Sequence, residues 1–436
     1  MSGLTGWAQL VNPEMDLFSL PPTDVSVANG RYIPYTPFDK GDKHLEWVIP
    51  NIESYIDLQK THIRLVVKIT KGDGSALGVG DKVGFVNNAL HSMIKQVTIH
   101  PNGKIVTLQS DSYAYRAFIE TLLNYPGEAQ DSYLQCALWD KDTAGQHDTT
   151  AVASSGSGVA TNKGLMRRAA YTAESKLVGL AGPLFCDIFH SNRYMVNNME
   201  LKIRMELHEP KFCLMSGSTA PAEKYKVESA LLRLYHVTPS DSVRLSHTKI
   251  MHSPSSPKMS MYPLTSAVVK TRQILNGVRS FEATNLFNGL VPKRMIFGFV
   301  EDAAYNGDNT KNPFNFQLDS KLTDIKVTVD GEETPYNALS RVDGKGVDLY
   351  HMLFDNVCGT FRGGGLNVSR EEFEKGYGLL VYDFTGAGNA ASEYYHPQYK
   401  GTVNLALSFN AATTTVMSVV IYGEFNNNME MTPYVM

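Results

Sequence analysis

The chain has 436 residues, 43% hydrophobic and 10% aromatic, which is enough apolar material for more than one full core. Charged residues make up only 19%, with 40 basic against 44 acidic and a formal net charge of −4, so the strong basic excess of a dedicated nucleic-acid binder is absent. Cys136, Cys186, Cys213 and Cys358 lie far apart without CxxC or zinc spacing, which excludes a disulfide scaffold and leaves reduced, buried thiols as the expectation.

The first forty residues read as an irregular arm. Asn12-Pro13, Pro21-Pro22 and Pro34 break regular structure, while Trp7, Leu17, Phe18 and Leu20 offer apolar anchors that a solvated linker does not need. Met1 to Leu10 has neither the basic nor the apolar region of a signal peptide, and no apolar run approaches the ~18 residues of a membrane span. The expectation is a chain made and folded in the cytosol or nucleus. Ile63, Leu65, Val67 and Ile69 alternate with polar residues, the period of a half-buried strand. Asn102-Gly103 sits between apolar runs and supplies the positive φ values of a tight hairpin. Tyr115, Phe118, Ile119 and Leu122 follow helical spacing, with Asp111 or Ser112 as N-cap. Thr149 to Gly164 is a low-complexity stretch expected as a surface loop. Met199, Leu201, Ile203, Met205 and Leu207 alternate again, and Leu231 to Tyr235 is a further apolar strand.

Pro239, Pro254, Pro257 and Pro263 mark a junction in which a short polar helix starts at Ser240. Beyond it the same elements recur in the same order. They are an Asp330-Gly331 turn and a helix through Tyr350, Leu353, Phe354 and Val357, with Asp348 ahead and Gly359 behind. An alternating strand at Val403, Leu405, Leu407 and Phe409 follows, and then the run Val419 to Tyr422. Ser369-Arg370-Glu371-Glu372 is a capping box whose short helix Gly376 closes. The chain therefore divides into an arm (1–40), a first β domain (41–238), a linker (239–262) and a second β domain with a tail at Asn426 to Met431 (263–436).

Motifs for chemistry fail on inspection. His208-Glu209-Pro210-Lys211-Phe212 begins like HExxH, but the second His is missing and Pro210 breaks the helix it needs. His236, His247 and His252 have no ligand spacing. Gly72 to Gly78 is one residue too long for a GxGxxG loop, Gly156-Ser157-Gly158 lacks a following Lys-Ser/Thr, and no GxSxG elbow occurs. Arg167-Arg168 and Lys293-Arg294 read as solvated loop charge, Glu371 and Glu372 as helix capping, and the sequon Asn367-Val368-Ser369 as chance. The sequence nominates no catalytic, cofactor-binding or metal-binding residue, and the expectation is a protein that is not an enzyme.

Several segments carry a resemblance over most of the chain. They are Phe85 to Met93, the hairpin Val97 to Val106, the run Tyr113 to Tyr125, Lys141 to Gly145, Gly182 to Phe189, Lys311 to Phe316, Val329 to Gly331, Ser369 to Tyr377 and Val420 to Phe425. In these, and most specifically in Tyr113 to Tyr125 and Asn312 to Phe316, the chain resembles the major capsid proteins of Polinton/Maverick elements and adintoviruses. The resemblance implies an all-β fold of two consecutive eight-stranded jelly-roll sandwiches, with short helices in the loops. It implies a homotrimeric, pseudo-hexameric, hexon-like capsomer that tiles an icosahedral shell beside neighbouring capsomers, penton and other minor capsid proteins. Such a shell encloses DNA without gripping it specifically, forms part of the virion, assembles in the host nucleus or cytoplasm, and uses no cofactor or membrane span. The Thr149–Gly164 insertion is then a tower or trimer-contact loop, and the arm and tail are contacts between capsomers. Low charge density with many aromatics suits surfaces that face other copies. The competing expectation is a β-sandwich binding module, lectin-like or spike-like, whose Tyr-rich loops stack on sugars.

Overall fold

The period-two runs become strands whose apolar residues lie inward. Ile63, Leu65, Val67 and Ile69 are completely buried, and Leu201, Ile203 and Met205 equally so, while Arg64 and Arg204 between them are exposed. The computed structural model describes residues 24–107, 111–150, 161–218, 222–253, 258–358, 365–392 and 395–431. Trp7, Leu17, Phe18 and Leu20 of the expected arm, residues 151–160 of the expected loop and Gly359 lie outside the described residues.

The first half is built from β1 (Val27–Tyr35), β2 (His44–Ile49), β3 (Tyr55–Thr70), β4 (Ile94–Pro101), β5 (Val178–Pro183), β6 (Leu201–Leu207) and β7 (Lys224–Pro239). One sheet has the order β1-β7-β3-β5, and the other runs β2-β6-β4 with the pair Asp39–Lys40 outside β2. All pairings are antiparallel. The second half uses β8 (Ser260–Ile274), β9 (Ser280–Ala283), β10 (Arg294–Glu301), β11 (Leu322–Val329), β12 (Glu332–Ser340), β13 (Leu380–Asp383), β14 (Val403–Phe409) and β15 (Met417–Met431). Its sheets run β8-β15-β10-β13 and β9-β14-β11-β12. In each half the last strand lies between the first and the third, and the next-to-last strand lies beside the second. The chain thus closes back on its starting edge twice, with the Greek-key connectivity of a jelly roll. The halves differ in one strand. Asp330-Gly331 takes φ of 52° and 91° and returns the chain into β12. Asn102-Gly103 takes the same turn, φ 47° and 75°, but the return forms no strand: the Val106 amide donates to the Ile99 carbonyl (3.1 Å), and the Ile99 amide donates to the Thr107 hydroxyl (3.1 Å) rather than to a backbone carbonyl. Lys104 to Thr107 lacks the alternation that would bury a strand face.

Among the described residues the longer helices are α1 (Tyr113–Asn124), α2 (Lys163–Thr172), α3 (Asp241–Met251), α4 (Val347–Cys358) and the short α5 (Arg370–Glu374). Ser369 and Glu372 make the expected capping box on α5. Ser112 takes the N-cap position of α1 without a side-chain bond to it. α1 connects the fourth strand position to β5, and α4 connects β12 to β13, so the two occupy the same place in the two jelly rolls.

The strands do not stop where the sequence suggests. Residues 27–35, expected in the arm, form the edge strand β1, and an edge tolerates the Gly30 and Pro34 that disguise it. The expected linker holds α3, none of whose residues is buried, and β8 begins at Ser260 inside it. The expected tail Asn426 to Met431 is the end of β15, paired residue by residue with Ser260 to Thr265. Ladder hydrogen bonds come from the backbone, so an Asn-rich run pairs as well as an apolar one.

Candidate assembly interface

A helix buried on one stripe should show polar residues on its other side. α1 instead has ten of its twelve residues buried, because it lies between the two sandwiches. On its apolar side Phe118 stacks on Phe314 at 4.4 Å and meets Trp139 at 5.2 Å, while Tyr115 stacks on Tyr305 at 5.5 Å. Phe314 and Tyr305 belong to the second half, so this aromatic cluster is shared across the seam.

The polar side of α1 meets the outer face of the β8-β15-β10-β13 sheet. Arg116 Nε donates to Glu120 (2.7 Å), one turn away, and Arg116 NH1 donates to Asp187 (2.6 Å). The Tyr422 hydroxyl on β15 lies 2.9 Å from Glu120 and 3.2 Å from Glu424, within reach of either carboxylate for its one proton. Arg294 forks onto Glu424 at 2.6 and 3.2 Å, and Lys293 stands 3.7 Å away. Asp187 also accepts from the Ala267 amide of β8 (3.2 Å). Three cations thus face three carboxylates. Burial works against the charge of Arg116, but Glu120 and Asp187 hold its pKa well above the ordinary value. Burial would push the Glu424 carboxyl up, yet Arg294 and Lys293 bring it below its usual range.

A second buried cluster closes the other part of the seam. Arg168 on α2 has no exposed surface. Its Nε donates to the Phe85 carbonyl (2.8 Å), NH1 to the Asp140 carbonyl, and NH2 to Asp142 (2.6 Å). The other oxygen of Asp142 accepts from Asn312 Nδ2 (2.9 Å), and Asp148 accepts from the Asn312 amide (2.7 Å) and Asn315 (3.0 Å). Tyr377 donates to the Asp142 carbonyl (3.1 Å), and Lys141 pairs with Glu372 (2.8 Å). Burial raises the Asp142 pKa, but Arg168 outweighs it and the carboxyl titrates below its ordinary value. The His147 ring packs edge-on to Tyr377 at 4.9 Å, and Gly376, at φ 126°, leaves the room that a Cβ would take from that ring. Gly376 serves this approach rather than only closing α5.

Two basic doublets correct the expectation of solvated loop charge. Arg167 is exposed, but Arg168 and Arg294 are buried and Lys293 is half-buried, each in a paired cluster. Cys136 is exposed, whereas Cys186 and Cys213 are buried, and burial pushes the Cys186 thiol up to about 12. Glu372 both caps α5 and pairs across the seam. Gly164 and Asn162, at the end of the expected loop, belong to α2: Asn162 caps it and is fully buried.

The histidines that frame the HExxH-like stretch and the junction stay apart. His208 stacks on Phe212 at 4.0 Å, His236 lies 2.8 Å from Ser54 Oγ, and His247 lies 3.0 Å from the Tyr55 hydroxyl. Among the described residues no group of three His, Cys, Asp or Glu side chains is placed to hold a metal, and no helix is long and apolar enough to cross a membrane. A cavity of about 490 Å³ opens where β1, α3 and β8 meet, and Val27, Val196, Ile250, Met251 and Met261 line much of it.

No family model matches the chain. An uncharacterized protein of Caenorhabditis elegans is 24% identical over 392 residues, covering 86% of this chain and 88% of the relative. Among solved structures, the Sputnik virophage structure aligns with a TM-score of 0.63 at 13% identity, covering 98% of this chain and 93% of that one. The Faustovirus major capsid protein gives a TM-score of 0.59 at 9% identity, over 95% of this chain and 92% of that one. The mavirus major capsid protein gives 0.50 at 12% identity, over 100% and 96%. The alignments run through both sandwiches, and the fold is a double jelly roll.

Proposed function

We propose that this chain is the major capsid protein of a Polinton/Maverick-like or adintovirus-like element, a structural subunit and not an enzyme. The observation that carries the reading is the pairing of two jelly rolls of the same connectivity along a seam of buried, charge-balanced contacts. One chain thereby becomes a rigid two-tile unit, and its fold aligns over nearly its whole length with the Sputnik virophage structure and the Faustovirus and mavirus major capsid proteins. Three such chains make a homotrimer with six sandwiches, a pseudo-hexameric capsomer that packs against its neighbours and against penton and minor capsid proteins in an icosahedral shell. The near-neutral charge suits a container that encloses DNA without binding it specifically. The site of the protein is the virion capsid, with assembly in the host nucleus or cytoplasm.

Size measurement and electron microscopy of the purified protein test this. The expected species has three times the 48.2 kDa chain mass and forms hexagonal arrays or shells on concentration or with its penton partner. A monomer that persists at every concentration and never forms arrays overturns the reading.

A further inference from the structure

The seam inside the chain joins α1 of the first half to the outer face of the β8-β15-β10-β13 sheet of the second. Each half carries one copy of both parts, so one of each is left over. The leftover sheet face belongs to β1-β7-β3-β5, and the leftover helix is α4. We infer that these two surfaces dock on one another between copies of this chain: the outer face of the first sheet of one copy receives α4 of a second copy. This rests on the capsomer reading above and specifies which surfaces make the contact.

The residues correspond in detail. Tyr115, Phe118, Ile119 and Leu122 of α1 match Tyr350, Leu353, Phe354 and Val357 of α4 in spacing, which places Arg116 and Glu120 opposite His351 and Asp355. Arg116 and Glu120 form an i,i+4 pair at 2.7 Å, and His351 and Asp355 form an i,i+4 pair at the same 2.7 Å. The α1 pair is buried against the second half, whereas the side chains of His351 and Asp355 are 67% and 32% exposed. On the sheet side, Tyr422 stands on the outer face of the last strand and meets Glu120. Tyr235 stands on the outer face of the last strand of the first sheet, beside the inward Leu234 and His236, and is half-buried; Val237, the next residue along that face, and its cross-strand partner Tyr55 line the cavity beneath α3, so the open part of the face runs from Tyr235 toward Arg233.

Charge and apolar surface complement one another. Around Tyr235 the outer face carries Tyr32, at 49% exposure and 4.9 Å ring distance, and Lys60, 4.3 Å from the Tyr235 ring. Arg233 and Arg64 on β7 and β3 lie on the same face, and neither has an ion pair among the described residues. The facing helix presents Asp348 and Asp355 with the exposed Val347 at its start. Two cations with no ion pair among the described residues on one surface, and on the other the exposed Asp348 and the half-buried Asp355 that His351 holds, repeat the sign pattern that the seam satisfies internally. A contact of one surface with a different surface of the next copy is heterologous, the kind that closes into a ring.

A photo-crosslinking residue in place of Tyr235, mapped by mass spectrometry in the assembled protein, tests the geometry directly. The expected crosslinks join it to residues of α4 on another chain. In parallel, R233E combined with R64E is expected to weaken association at least about tenfold in dilution series read by mass photometry, through like charges placed opposite one another. Adding D355K is expected to recover most of that loss. A wild-type oligomer that tolerates the double reversal unchanged, with crosslinks elsewhere, overturns this inference and leaves the capsomer reading standing. A wild type that is monomeric throughout the dilution series overturns both.

Discussion

The doublet Arg167-Arg168 offers a sharp comparison, because two adjacent arginines have opposite environments. The Arg167 side chain is 69% exposed and stands 3.6 Å from Asp140. An ion pair of that kind contributes at most about 0.5–1 kcal/mol. Arg168 is fully buried and satisfies two backbone carbonyls and one carboxylate. Truncating it leaves Asp142 as a buried charge held by the neutral side chains of Asn312 and Asn162, with no cation among the described residues hydrogen-bonded to it. Removing one partner of a buried pair costs about 3–5 kcal/mol. The stranded Phe85 and Asp140 carbonyls act in the same direction at about 1–3 kcal/mol each, although such terms do not add fully. Against a total stability of about 5–15 kcal/mol for a domain, Arg168→Ala removes a large share.

Urea unfolding of the two single variants, followed by circular dichroism at a fixed protein concentration, measures the difference. Arg167→Ala is expected within about 0.5 kcal/mol of wild type and Arg168→Ala at least about 3 kcal/mol below it. The double variant Arg168→Leu with Asp142→Leu removes both charges together and is expected to recover part of the loss. Equal effects of Arg167→Ala and Arg168→Ala, or an Arg168→Ala variant as stable as wild type, would refute the account of the seam as a set of mutually dependent buried charges.

Other expectations follow from the same geometry. Burial pushes the pKa of His91 down to about 3 and of His208 down to about 4, below the ~6.5 of an unfolded histidine. The unfolded chain therefore binds more protons in that window. Stability is complete above pH ~6.5 and falls as the pH drops toward 4, by up to about 1.4 kcal/mol per pH unit for each histidine. Denaturant midpoints at pH 7.5 and 5 check this, and a flat profile would count against it; His91→Asn should reduce the slope by about one proton. Gly376→Ala meets both a φ of 126° and the His147 ring, whereas Gly103→Val meets only a φ of 75° in open space. The former should cost roughly 2–4 kcal/mol and the latter about 1–2 kcal/mol, and thermal melting in the reverse order would show that the His147 contact is not tight. Removing residues 1–23 should leave the proposed trimer intact and weaken array formation, as judged by electron microscopy; loss of the wild-type oligomer itself would assign those residues to the core.

The sequence made the strands legible wherever one face is buried, because period-two alternation reports burial directly. It is visible from Ile63 to Ile69, Met199 to Leu207 and Val403 to Phe409, and in each case the inward set has almost no exposed surface. It failed at β1 and at the end of β15, where pairing rests on backbone groups while Gly30, Pro34 and Asn426 to Asn428 carry no alternation. The seam was harder still. Tyr113 to Tyr125 stood out as an amphipathic helix, but nothing in its spacing says that its polar side is buried too. That burial depends on Tyr422 and Glu424, which lie about 300 residues away in the chain. The same holds for Arg168 and Arg294. A short-range reading sees two adjacent cations and assigns them to water, and only the fold shows the carboxylates that receive them.

Six of the nine segments that carry the resemblance, scattered through the chain, meet at this seam. Tyr113 to Tyr125 is α1, and Gly182 to Phe189 supplies Asp187. Lys141 to Gly145 holds Asp142, Lys311 to Phe316 holds Asn312 and Phe314, Ser369 to Tyr377 holds Glu372 and Tyr377, and Val420 to Phe425 holds Tyr422 and Glu424. Each of them contributes to the contact between the halves. Sandwich cores accept many apolar exchanges of similar volume. A buried set of three cations and three carboxylates does not, since losing any one member strands another. Single exchanges are therefore expected to cost more in the charged seam that fixes one jelly roll against the other than in the sandwich cores, and that fixed relation is what the proposed capsid subunit requires.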